Sequence, residues 1–446
     1  KSQSIFPANP VCPYYPPIRY SSSQTMLSSE TWTSYPTESY FTSQPLNGYG
    51  YSTALQRTSN DNNNGNTMVD SLDPQAISNI VWAYATIGHY SNKNSKVKFL
   101  FKVLSQLTIQ KLDKFNPQSI ANTVWAYAKV GHEDQELFDQ ISQCVIKKKT
   151  LDKFDSQDLA NMMWAYATIG FVAPEMFDAV SHVVIKKFDR FNSQEIANTI
   201  WAYATVYYNI EPWLLDAILW NTIQRIETLE TEQIINIVWS VAILNCIDIN
   251  STIPLFAEIS KRYQRKEQKQ HQEGSRYDND EGENSFSSSS FNAISKQALS
   301  QLHQASLWSS DEHKKESLLP AELRKECLVN FGNSGHVGSK LQQNVVQILQ
   351  TLDGVTIIEE ESHCVWTGYS IDVLIRIKEG NSSSKDIAVE IDGPCHFIGY
   401  SPNGATMLKR RQLCTLGKIP LISIPYWEWD ELGSFGDDNK RIDYES

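Results

Sequence analysis

The sequence has little of what marks a disulfide-stapled, metal-clustered or membrane-embedded chain. Its seven cysteines, Cys12, Cys144, Cys246, Cys327, Cys364, Cys395 and Cys414, are scattered, odd in number and form no CxxC pair. That spacing excludes a zinc cluster with neighbouring histidines and favours a reducing compartment. No apolar run approaches the roughly 18 residues of a membrane-spanning helix, so no membrane partner is expected. A basic excess is also missing. The formal net charge of −12 weighs against a polyanion partner, because phosphate is usually neutralised by clustered Lys and Arg. The acidity is uneven, however: acids and bases nearly balance over residues 72–263, where Lys147-Lys148-Lys149 and Lys186-Lys187 cluster.

Residues 1–70 are rich in Ser, Tyr, Pro and Asn and show neither a two-residue nor a 3.6-residue apolar period, so they are expected to be disordered. The chain begins with Lys1 rather than Met. It is expected to be a fragment or a processed form, in which a targeting peptide is not legible.

What is present in abundance is repetition. The segments PQAISNIVWAYATIG, PQSIANTVWAYAKVG, SQDLANMMWAYATIG, SQEIANTIWAYATVY and TEQIINIVWSVAILN align on Trp82, Trp125, Trp164, Trp201 and Trp239, spaced by 43, 39, 37 and 38 residues. Such a period predicts an α-solenoid over residues 71–263, in which each helical hairpin buries its apolar face by stacking on its neighbours. Asp73, Asn116, Asp155 and Asn192 stand where an N-cap is wanted, Pro74 and Pro117 at the first helical position, and Asn192 with Glu195 forms a capping-box pattern. Gly88, Gly131 and Gly170 close the first helix in three copies.

On a helical wheel Gln118, Asn122, Trp125 and Lys129 share a face, as do Gln157, Asn161, Trp164 and Thr168, and Gln194, Asn198, Trp201 and Thr205. One reading makes the aromatic residues core and the asparagines bridges between repeats. The other places base contacts where the residue changes between copies: Ala76, Ser119, Asp158, Glu195 and Gln233 six residues before each tryptophan, and Thr86, Lys129, Thr168, Thr205 and Ile243 four after it. Under it the contact residues are Asn122, Asn161, Asn198, Lys129, Asp158 and Glu195. Protein-binding solenoids show the same pattern.

The pattern PQxIANxxWAYAxxG resembles the octotricopeptide repeat over roughly residues 72–260, best in the second to fourth copies. The fifth departs from it with Ser240-Val241 and no closing glycine, as a capping unit would. The resemblance implies RNA binding in chloroplasts or mitochondria. Residues 264–317, containing RKEQKQHQEGSRYDNDEGENSFSSSS, are expected to be a flexible linker.

From residue 318 to the end the apolar pattern returns as a helix over 338–351, strands near 355–361, 369–378 and 386–391, a helix near 405–416 and a strand over 420–424, which predicts an α/β domain. Its segment IAVEIDGPCHFIGYSPNGATMLKRRQLCTLGKIPLISIPYWEWDEL resembles the RAP domain, at about residues 386–444. That resemblance implies an RNA-binding protein of organellar transcript or ribosomal RNA processing, with single-stranded RNA and ribosomal or processing factors as partners and no small-molecule substrate.

RAP domains are similar in turn to the restriction-endonuclease-like fold, whose strand-borne carboxylates hold a divalent metal. Carried over, this gives Asp372, Glu390 and Asp392 as candidate catalytic acids, with His396 beside them and Asp372 and Glu390 as magnesium ligands. The usual lysine two residues after the third-strand acid is Asp392 here, leaving Lys409 or His396 as substitutes. Without such activity no cofactor is required, and the domain would contribute affinity through Lys409, Arg410, Arg411 and Trp427.

Overall fold

The computed structural model describes residues 71–87, 95–277, 294–314, 316–332, 339–379 and 383–434. The expected disorder of residues 1–70 and the closing Gly88 lie outside the described residues. The repeats form five helical hairpins: α1 Pro74–Ile87 with α2 Ser95–Lys111, α3 Pro117–Lys129 with α4 Gln135–Lys147, α5 Ser156–Ile169 with α6 Pro174–Lys186, α7 Ser193–Thr205 with α8 Pro212–Ile223, and α9 Thr231–Leu244 with α10 Ile253–Tyr277. The first helices stack in a row in that order.

Each start is capped as its sequence dictates. Asp73, Asn116, Asp155 and Asn192 accept the backbone N–H three residues on, satisfying a donor that the helix leaves orphaned. Gly131 and Gly170 end two helices at φ +63° and +71°, where a side chain would be strained.

Two periodic hydrogen bonds lock the stack. The WAYA tyrosine donates to a carbonyl in the second helix of the preceding repeat: Tyr127 to Phe101, Tyr166 to Phe138 and Tyr203 to Phe177, at 2.6, 2.7 and 2.9 Å. A cation at the end of each of the first four second helices, and Arg262 within α10, turns back to the carbonyls that open its own repeat: Lys111 to Leu72, Lys148 to Asp113, Lys187 to Asp152 and Phe154, Arg225 to Phe191, and Arg262 to Leu229. Lys148 and Lys187, from the basic clusters, are therefore structural staples. A charged donor on a half-buried carbonyl is the stronger kind of hydrogen bond, which is how a short turn is fixed without a core of its own.

The expected flexible linker over 264–317 is corrected at 264–277 and 296–312, while residues 278–293 lie outside the described residues. Helix α10 runs on to Tyr277, and α11 Lys296–Leu307, continued by a π turn over Trp308–Glu312, adds a sixth helix to the row. Gln301 and Gln304 bond to Asn236 and Trp239, each 65 residues earlier, so the sixth helix continues the repeat register. Its Leu299, Leu302, Ala305 and Trp308 are buried, an apolar period that follows the polar, serine-rich stretch. Helix α12, Ala321–Gly332, packs against it.

In the α/β domain α13 Lys340–Leu349 precedes β1 Val355–His363, β2 Ser370–Glu379 and β3 Ser383–Asp392; β4 Phe397–Ile398 and β5 Ser401–Pro402 form a small ribbon, followed by α14 Gly404–Thr415, β6 Leu421–Pro425 and α15 Tyr426–Ser434. The main sheet has the order β1-β2-β3-β6, with β3 and β6 parallel and the other pairs antiparallel. One face buries Val373, Ile375, Val389 and Ile391 against α13 and Trp429. A second cluster packs Tyr369, Ile371 and Ala388 with Leu413 of α14 and Leu307 of the sixth helix. An α-solenoid followed by a small α/β domain is thus the architecture.

The two parts are not tethered modules, since residues 66–446 form one compact unit. Gly404 opens α14 so close to the ends of α7 and α9 that a Cβ there would lie 1.9 Å from the Ala204 carbonyl oxygen. Arg411 donates to the carbonyls of Ala242 and Ile243 and pairs with Glu312 at 2.8 Å. Ile398 packs against the solenoid core, beside Gly170.

Candidate nucleic-acid interface

Residues at −7, −3, 0 and +4 from the tryptophan fall within about 60° of one another on a helix, at 100° per residue, and so share one face. In the first three repeats this face is open. Gln75, Gln118 and Gln157 are exposed, as are Thr86, Lys129 and Thr168, while Asn122, Asn161 and the indoles of Trp82, Trp125 and Trp164 are half-buried. The Trp125 and Trp164 rings lie 6.5 Å apart at 37° to each other. Side-chain amides join along the face: Gln194 donates to Asn198, and Gln233 donates to Gln194.

Towards the α/β domain the face closes. Trp201 and Trp239 are 7% exposed, Ile243 is buried, and the Thr205 hydroxyl is buried without a partner. Trp239 donates its indole N–H to Gln304. Asn198 stays half-buried beside the exposed Gln194. The stripe is therefore a surface of repeats one to three, with a rim at repeat four.

The residues at −6 are corrected. Asp158 and Glu195 are buried third-position caps whose carboxylates accept the backbone N–H of Asp155 and Asn192. They sit roughly 120° around the helix from the tryptophan, which turns them inward. Variation among these copies is variation of capping chemistry. Burial, with Asp155 adding to it, pushes the Asp158 carboxyl up to about 6.

The strand period of two puts Glu390 and Asp392 on the face of Ala388, turned towards α14. Lys409 pairs with Glu390 at 2.5 Å, and Arg410 pairs with Asp392 at 2.7 Å and bonds Ser423. Asp372 accepts the Ile391 N–H at 2.7 Å, and His396 Nδ1 lies 3.3 Å from Asp392. Burial raises the carboxyls of Asp372 and Glu390, Lys409 opposing it in both, and lowers the His396 imidazole. The expected cation trio is thus corrected: Lys409 and Arg410 neutralise strand carboxylates, and Arg411 fastens the domain to α9.

The Lys409 ammonium holds one oxygen of Glu390, the other oxygen is buried without a hydrogen-bond partner, and among the described residues no group of three or more His, Cys, Asp or Glu side chains is placed to hold a metal ion. Trp427 packs edge-on against Phe397, Tyr400 and Tyr426, at centroid separations of 4.2, 5.1 and 5.2 Å, with Tyr400 exposed. No helix among the described residues is long and apolar enough to cross a membrane.

Fold and site together define a helical-repeat protein that carries a RAP domain, matched over residues 389–444. Residues 63–249 match the family described as RNA-editing substrate-binding complex 6 protein. The octotricopeptide resemblance rests on the residue pattern alone.

Proposed function

We propose that this protein binds single-stranded RNA in an organelle, as a factor in RNA processing, with the strand lying along the stripe of the first three repeats. One observation carries the reading: the Gln, Asn, Trp and +4 positions stay accessible together there, while in the fifth repeat the Trp and +4 positions, Trp239 and Ile243, are buried. Indole faces stack bases and side-chain amides bond their edges, while Lys129 supplies charge. Both family matches support it, and the RNA-editing family favours the mitochondrion over the chloroplast. Ribosomal or processing factors are the protein partners this role implies. Endonuclease chemistry is no part of the proposal, because the strand carboxylates are already neutralised by Lys409 and Arg410.

A protein-binding scaffold is the competing function, favoured by Trp213 and Trp220, exposed on α8. Affinity for a fluorescent single-stranded oligoribonucleotide separates the two. Counterion release makes RNA affinity fall steeply with salt. Asn122→Ala with Lys129→Glu should lower affinity about tenfold at unchanged circular dichroism, as expected for loss of one stacked or bonded nucleotide. Equal affinity in that variant would sink the stripe as the RNA surface.

A further inference from the structure

Beyond the stripe, an open depression of about 470 Å³ lies between the second helix of the first repeat and the loop that follows α3, lined by Lys98, Phe99, Lys102, His132, Glu133 and Asp134. It begins three residues past Lys129, where the chain leaves α3 through Gly131. Phe99 is 68% exposed, although it stands on a helix whose Val97 and Phe101 are buried. A large ring facing solvent contributes nothing to the core. Lys98 and Lys102 flank it on consecutive turns of α2, both exposed. Glu133 lines the same depression from the loop, its carboxyl raised by partial burial.

We propose that this cavity is a nucleotide subsite for the bound RNA strand, with a base stacked on Phe99, its phosphates on Lys98 and Lys102, and an amino-bearing base edge on Glu133. The inference rests on the RNA reading of the stripe and extends it to a defined site between the first and second repeats. A cavity of this size suits one nucleotide, and the cation, aromatic ring and carboxylate match its phosphate, π face and donor edge. Uracil, which has no amino group, is the base the subsite disfavours.

The test uses the full chain and ten-nucleotide homopolymers of A, C and U. Phe99→Ala should weaken A10 binding about tenfold, as loss of one stacked base does. Lys98→Gln with Lys102→Gln should flatten the slope of log affinity against log salt by about 1.4, two phosphates at roughly 0.7 each for a single strand. Glu133→Gln should narrow the preference for A10 and C10 over U10 and leave that slope unchanged. All four positions are exposed, so circular dichroism should not change. If these variants bind like the parent while Asn122→Ala with Lys129→Glu is weakened, the subsite is wrong and the stripe stands. If the parent chain binds none of the three RNAs, both fall.

Discussion

Gly404→Ala tests whether the RAP domain is built into the solenoid. Alanine in a helix is ordinarily better than glycine by about 0.5–1 kcal/mol, so at an open site the exchange should stabilise. At Gly404 the new Cβ would lie 1.9 Å from the Ala204 carbonyl oxygen and 2.8 Å from Ile243 Cγ2. Ordinary contact begins near 3.5 Å, so α14 must retreat by roughly 1.5 Å. Two of the three groups in the way are main-chain atoms, which cannot rotate aside. A retreat of that size also breaks the Arg411 bond to Ile243, made at 3.1 Å. Overpacking of this kind costs about 1–3 kcal/mol, which outweighs the helix gain. Urea denaturation should show a lower midpoint, and hydrogen exchange should quicken in α14 and at the end of α9 while repeats one to three keep their protection. The control is Gly393→Ala, where no atom lies within 4 Å and φ is −73°. Gly404→Ala as stable as the parent would refute the close approach.

Arg411→Met should destabilise by about 3 kcal/mol, because it leaves the buried Glu312 carboxylate without its guanidinium. Glu312→Gln in the same chain should recover part of that loss, and a double-mutant cycle by thermal melting checks the coupling. Asp158→Asn should raise the melting temperature above pH 6. A carboxyl raised from 3.8 to about 6 in the fold contributes stability that is fully present below the unfolded value and lost as pH rises through the folded one, whereas Asn does not titrate. The gain of the variant over the parent should shrink between pH 6 and pH 4, and a gain constant across that range would show that Asp158 does not titrate as described.

The sequence by itself determined whatever depends on neighbours a few residues apart. The tryptophan period set the hairpins, Asn116, Asp155 and Asn192 set their starts, and alternating β-branched runs set β2 and β3, because capping and amphipathic periodicity are local. The stripe of Gln118, Asn122, Trp125 and Lys129 was legible for the same reason. The corner holding Lys98, Phe99 and Lys102 was missed; its signal was a phenylalanine between two lysines, facing away from the apolar period of α2.

Only the tertiary structure decided which repeats keep that stripe open, since the sixth helix covers Trp239 and α14 meets Ile243, and both come from chain well beyond the fifth repeat. It also decided what the cations do. Lys409, Arg410 and Arg411 are consecutive and look like one phosphate patch, yet successive residues of a helix point about 100° apart. They therefore reach three different acceptors: Glu390, Asp392, and Glu312 with the end of α9. The sixth helix was hidden likewise: its apolar period is short, follows a polar run and gains its partners only when it stacks on α9. A buried charge takes its meaning from the opposite charge folding brings to it, and that partner lies tens or hundreds of residues away in sequence.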